Sequence, residues 1–201
     1  MRVTEIECKS ILTKSGIEAI HYALNPYVGC GHGCVYRYAS FMKRFTGHKE
    51  KWGMFVDVKV NAAEVLAHQM RRAKRGNIAF GTVTDPYQPL EKKYKITCAC
   101  LEVLTAYDFP VSILTRSDLV LRDLDLLCRL KDVEVGFTIT TLDDGGRQMF
   151  EPRSSPVLAR LTALSELAEA EMKTWAFCGP LLPLLSDSEE QMDALLPKDE
   201  R

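Results

Sequence analysis

The residues best equipped for chemistry lie in one short stretch, NPYVGCGHGCVYRYA at 25–39. Cys30 and Cys34 are spaced C-x3-C, and thiolates are the protein ligands of iron–sulfur clusters and of structural zinc. Gly29, Gly31 and Gly33 recur through the loop, and glycine tolerates the backbone angles needed to bend around a compact metal group. His32, between the two thiols, is an iron ligand in principle, although its place between them points it away. Two cysteines alone describe a flexible loop with two thiols equally well.

The elements that must position this loop follow a repeating pattern. A short β-branched run at 55–60 predicts a strand. Asn61-x-x-Glu64 resembles a capping box, opening a helix with Ala62, Val65, Leu66, Met70 and Ala73 at helical spacing and Gly76 as its stop. Strands are predicted at 77–83, 111–115, 133–140 and 173–178. Helices are predicted at 96–107, 119–130, 155–170 and 187–196. Alternation of this kind requires crossover connections and a parallel sheet, with functional groups in the loops after the strands. A partial (β/α) barrel and a doubly wound open sheet both fit.

The chain has 201 residues, 46% of them hydrophobic and 26% charged, as expected for one globular domain with a buried core. Its net charge of -1 provides no global field for nucleic acid or membrane. No apolar run approaches the roughly 18 residues of a membrane span. The N-terminus, MRVTEIECKS, is too polar for a signal peptide. A cytoplasmic protein is expected, with no membrane partner, and the seven cysteines do not read as a disulfide framework.

Several longer stretches occur in order: LNPYVGCGHGC, GTVTDPYQPLEKKY, TRSDLVLRDLDLL, VGFTITTLDD, FEPR and KTWAFCGPLLP. Together, from about residue 20 to about 196, they resemble the radical S-adenosylmethionine (SAM) proteins of the spore photoproduct lyase-like, or DNA repair photolyase-like, group. The resemblance implies a partial (β/α)6 barrel. It implies a 4Fe-4S cluster bound by three cysteines, with SAM chelating the open iron. It implies reductive cleavage of SAM to a 5′-deoxyadenosyl radical, fed by an electron donor such as a flavodoxin or ferredoxin. Carried over by position, Cys30 and Cys34 match two cluster ligands and Tyr36 matches the aromatic position near the SAM adenine. Thr84 and Asp85, in GTVTDP, match the segment that contacts the SAM amino group. Thr138 and Thr140 fall in the ribose and carboxylate region. Asp85-Pro86 also suits a simple turn, and the threonines also suit an ordinary strand. Nucleic acid is implied as substrate by family analogy alone.

The chain departs from that pattern. Arg37 stands where the third cluster cysteine belongs, and a guanidinium has donors only and stays protonated. Cys98 occupies a position expected to be basic. Glu171 sits between helix and strand, where glycine is usual, and Leu184 replaces a favoured glycine. The barrel is expected to be truncated at about five strands, with 1–54 an N-terminal segment carrying the cysteine loop and 55–201 the β/α repeats. The alternatives to an active enzyme are a truncated or inactive pseudo-enzyme or binding module, and a zinc protein built on Cys30, Cys34 and two distant ligands. Lys43, Arg44, His48, Lys49 and Lys51, interleaved with Phe41, Phe45 and Trp52, form a basic aromatic run that suits nucleic acid and, more commonly, a solvated face.

Overall fold

The computed structural model describes residues 1–36, 43–183, 186–190 and 193. Arg37, Phe41, Leu184 and half of the helix predicted at 187–196 lie outside the described residues. The N-terminal third carries four short strands: β1 (Arg2–Ile6), β2 (Leu12–Lys14), β3 (Tyr22–Leu24) and β4 (Tyr27–Val28). Next come β5 (Phe55–Lys59), α1 (Ala62–Met70) and β6 (Ile78–Phe80), and then α2 (Glu91–Tyr94), α3 (Ile96–Leu104) and β7 (Val111–Thr115). A 3-10 turn, Asp118–Asp123, leads into α4 (Leu124–Leu127), followed by β8 (Val133–Thr138), α5 (Asp144–Phe150), α6 (Val157–Glu169) and β9 (Lys173–Phe177).

The strands form two sheets. A six-stranded sheet runs β2-β3-β6-β7-β8-β9, and every pairing from β3 to β9 is parallel. Only β2 is antiparallel, on β3. The central strand β6, IAF, is buried at all three positions, as expected for a parallel strand covered on both faces. The result is a mixed α/β fold with a parallel series of five strands, consistent with a partial (β/α) barrel. The strand expected at 55–60 forms as β5, but it lies outside that series. It pairs in parallel with β1 and antiparallel with β4 in a separate three-stranded sheet. The first strand of the parallel series is β3, three residues long and too short to show a periodic pattern.

Other differences have local causes. Asn61 does not cap α1 with its side chain. Its Oδ1 instead accepts from Cys8 N at 2.8 Å and its Nδ2 donates to Cys8 O at 3.1 Å, tying the chain after β1 to the start of α1. Strand β6 stops at Phe80 because Gly81, at φ +82°, turns the chain. Helix α5 arises from a DDGG sequence where no element is predicted. Asp143 makes it a helix start by accepting from Gly145 N at 3.2 Å and Gly146 N at 2.7 Å. One contiguous core joins Val56 and Val58 of β5 to Leu66 of α1, Leu101 of α3, Ile113 of β7 and Phe137 of β8.

Candidate functional site

The cysteine loop follows β4 and lies against the carboxyl ends of the parallel strands. Cys30 and Cys34 are both buried. A turn closes between them, with Gly33 N donating to Cys30 O at 3.3 Å. Thr84 Oγ1 donates to Gly29 O at 2.5 Å, and Gly31 N donates to Gln88 Oε1 at 2.6 Å. The loop after β6 therefore holds one side of the cysteine loop by its own polar side chains.

Asp85 is buried and its carboxylate is used in full. Oδ1 accepts from Tyr87 N at 2.9 Å and from Thr115 Oγ1 at 2.7 Å, while Oδ2 accepts from Arg116 N at 2.9 Å. His32 Nε2 lies 3.3 Å from Asp85 Oδ2, at ion-pair distance but not aligned as a hydrogen bond. Burial opposes the charge on Asp85, but the charge of His32, with the help of Thr115 and Arg116, holds its carboxyl well below the usual range. The other ring nitrogen, His32 Nδ1, is 2.9 Å from Arg153 O. His32 is thus turned onto protein partners on both sides.

A second buried cluster centres on Glu151, from the FEPR stretch. Its Oε1 accepts from Tyr36 OH in a short hydrogen bond, from Thr140 Oγ1 at 3.2 Å and from Arg116 Nε at 3.4 Å. Its Oε2 accepts from Ser154 Oγ at 3.1 Å and, in a short contact, from Arg160 Nη2. Arg160 also reaches Thr138 O at 2.7 Å and Ser155 O at 2.9 Å. Burial would raise the Glu151 pKa, but Arg160 and Arg116 beside it hold it low. The Tyr36 hydroxyl is pushed upward, chiefly by burial, and the Arg116 guanidinium stands 5.7 Å from the Tyr36 ring centroid. Arg116 also lies within electrostatic range of Cys34.

The residues expected from the sequence therefore divide into two groups. Cys30, Cys34, Thr84 and Asp85 belong to the cysteine loop and its support. Tyr36 and Thr140 converge on Glu151, with Thr138 beside them through Arg160. Among the described residues, Thr138 Oγ1 is buried with no hydrogen-bond partner. Glu151, Arg116, Arg153, Arg160 and Gln88 carry no expected role in the sequence reading. Glu151, Arg116, Arg153 and Gln88 had one signal, membership of the long ordered stretches, and Arg160, in the helix expected at 155–170, had none. The basic run proves partly structural: His48 Nε2 is 2.8 Å from Asp57 Oδ2, and its ring stacks on Phe55 at 4.0 Å. Lys43 Nζ donates to Lys49 O at 2.9 Å.

The donor set tests the fit of a metal group. Among the described residues, no three His, Cys, Asp or Glu side chains are placed to hold an ion. Cys100 is buried, and the groups felt at its thiol are Glu91, Cys8 and Lys59. Cys98 senses Asp123, Arg122 and Glu91. With Arg37 at the third position, the loop supplies two thiols. A three-cysteine cluster does not fit that set.

Comparison with known proteins agrees with this architecture. The family model of the radical SAM superfamily matches residues 24–196. An uncharacterised protein of Methanocaldococcus jannaschii, MJ0683, is 35% identical over 189 residues, covering 94% of this chain and 71% of that protein. The uncharacterised Rv2578c of Mycobacterium tuberculosis is 33% identical, with 96% of this chain covered and 59% of the relative. The structure of spore photoproduct lyase complexed with a dinucleoside spore photoproduct superposes with a TM-score of 0.70 at 19% identity, over 90% of this chain and 52% of the lyase. A lyase variant with bound AdoMet and the same dinucleoside matches with a TM-score of 0.63 at 20% identity, over 87% of this chain and 49% of that one. The chain thus spans about half the length of the solved lyase.

Proposed function

Because the chain belongs to the radical SAM superfamily, we propose that it is a SAM-binding member of the spore photoproduct lyase-like group that retains the scaffold without a complete cluster donor set. One observation carries the reading. The cysteine loop offers two buried thiols, Cys30 and Cys34, while His32 is engaged by Asp85 and by the Arg153 carbonyl, and position 37 is an arginine. A guanidinium cannot replace a thiolate on iron. The chain as written therefore acts as a binding module rather than a source of 5′-deoxyadenosyl radical.

In this reading Tyr36, fixed by Glu151 and Arg116, presents its ring to the adenine. Thr138 and Thr140 face the ribose and carboxylate side, which the unpartnered Thr138 hydroxyl supports. Thr84 and Asp85 shape the loop beside the SAM amino group. The likeness to a lyase solved with a dinucleoside photoproduct supports nucleic acid as the partner class. So does the exposed strip of Arg44, Phe45, Lys49 and Lys51.

Anaerobic reconstitution with iron and sulfide tests the proposal, with equilibrium dialysis of labelled SAM alongside. The expected result is SAM binding, sub-stoichiometric iron and no 5′-deoxyadenosine. The Arg37→Cys variant is expected to gain broad absorption near ~400 nm and reductant-dependent 5′-deoxyadenosine. Near-stoichiometric four-iron loading with SAM cleavage in the unaltered chain would overturn the reading. Absence of SAM binding in both proteins would remove the binding-module role.

A further inference from the structure

We infer that the segment from Phe150 to Ser154 is a clamp that sets the shape of the cysteine loop from outside it, with Arg153 as its positioning residue. The inference goes beyond SAM binding and holds whether or not any cluster forms. It rests on how many bonds one short segment makes to a loop more than a hundred residues away. Val35 N donates to Phe150 O at 3.0 Å. Tyr36 OH donates to Glu151 in a short hydrogen bond. His32 Nδ1 meets Arg153 O at 2.9 Å. Arg153 Nε donates to Gly31 O in a short hydrogen bond, and Arg153 Nη2 donates to Gly53 O at 2.6 Å. Loop residues 31, 32, 35 and 36 are thus each held by this segment, and the contacts flank Cys34 on both sides and adjoin Cys30 at Gly31.

The glycines show how tightly the guanidinium is seated. A Cβ on Gly33 would lie 2.5 Å from Arg153 Nη2, and one on Gly53 would lie 2.9 Å from it. Gly33 and Gly53 themselves meet so closely that a Cβ on Gly53 would stand 2.5 Å from Gly33 Cα. Both have positive φ, +68° and +83°. The Arg153 fork therefore joins the cysteine loop to the turn before β5 through backbone carbonyls, and its own neighbours have no room for side chains. At the other end of the clamp, Ser154 Oγ and Arg160 fix Glu151 from below. A backbone held from outside at these points is ordered by the protein and not by a metal, so Cys30 and Cys34 are shielded in the metal-free chain.

Peptide-resolved alkylation of the metal-free protein tests the clamp, with Cys100 of α3, buried to 0% exposure, reporting global opening. In Arg153→Ala, Cys30 and Cys34 are expected to react about tenfold faster or more, as lost hydrogen bonds lower the free energy of local opening, while Cys100 stays at its wild-type rate. Arg153→Lys keeps the charge but loses the two-armed fork, and is expected to restore only part of the protection. Equal acceleration of all three thiols would mean a general stability role and would overturn the proposal. So would unchanged Cys30 and Cys34 rates in a folded variant. Should Arg153→Ala not fold, Arg153→Lys decides the matter by the same ratio of rates.

Discussion

At the scale of single residues, the site is governed by where charge is buried and what neutralises it. Glu151 is fully buried between two arginines that are themselves almost fully buried. Removing one member of such a set leaves the others desolvated and unpaired, at a cost of about 3–5 kcal/mol. Glu151→Gln is therefore expected to lower the urea-unfolding free energy by about that amount at pH 7. The Glu151 pKa in the folded chain lies below its ordinary value of 4.5, so the unfolded chain binds the proton more readily. The stabilisation is present above that ordinary value and is lost as pH falls through the lower folded one. Unfolding curves taken between pH 6 and 3 should accordingly show a shallower loss of stability in Glu151→Gln than in the parent. An identical pH slope would place the acid sensitivity elsewhere, with Asp85, also held low, as the next group to examine.

At the scale of elements, two positions show how strand and helix ends are fitted. Helix α6 ends in a Schellman arrangement, with Met172 N donating to Leu167 O at 3.1 Å and Glu171 N to Ala168 O at 2.9 Å. Glu171 occupies the left-handed position of that motif at φ +59°, the place where the sequence led one to expect glycine. Glu171→Gly is expected to stabilise the chain by about 0.5–1 kcal/mol, read as a raised denaturation midpoint. Gly136 of β8 is paired in register with Trp175 of β9, and the indole lies flat over the missing side chain. A Cβ at Gly136 would come within 2.6 Å of three indole atoms. Gly136→Ala is therefore expected to cost about 1–3 kcal/mol and to shift the Trp175 emission as β9 is displaced. A neutral effect on both would show that the indole can move aside freely.

At the scale of the whole molecule, the two sheets share one core. Val56 and Val58 of the three-stranded sheet pack into the same cluster as Ile113 and Phe137 of the six-stranded one. They are expected to unfold together. The two tryptophans sit at opposite stations for testing this: Trp52 stands edge-on to Phe55 at 6.0 Å, and Trp175 covers Gly136 of β8. Trp52→Phe and Trp175→Phe each leave one reporter. The prediction is coincident fluorescence midpoints in urea, once each is referred to the far-ultraviolet signal of the same variant. Two separated transitions would show that the N-terminal sheet and the parallel sheet are distinct folding units.

The parallel α/β series was legible because each strand–helix unit carries its own period of apolar residues, and the loop at Cys30 and Cys34 was legible because thiols among glycines are chemically distinctive. The glycine-like demand at position 171 was legible because a helix end imposes its backbone angle locally. The short strands β2 to β4 left no such trace, since two or three residues define no period, and the pairing of β1, β3 and β4 is chosen by partners far along the chain. The sheet to which β5 belongs was hidden for the same reason. The clamp was hidden most completely. FEPR is visible as a stretch of letters, but only the turn of the chain between β8 and α6 brings Glu151 to Tyr36, and Arg153 to Gly31 and Gly53. The sequence by itself thus determined the kind of fold, the two thiols and the arginine that stands in place of a third. The tertiary structure alone decided which groups hold those thiols, because buried charges and backbone carbonyls find their partners across space and not along the chain.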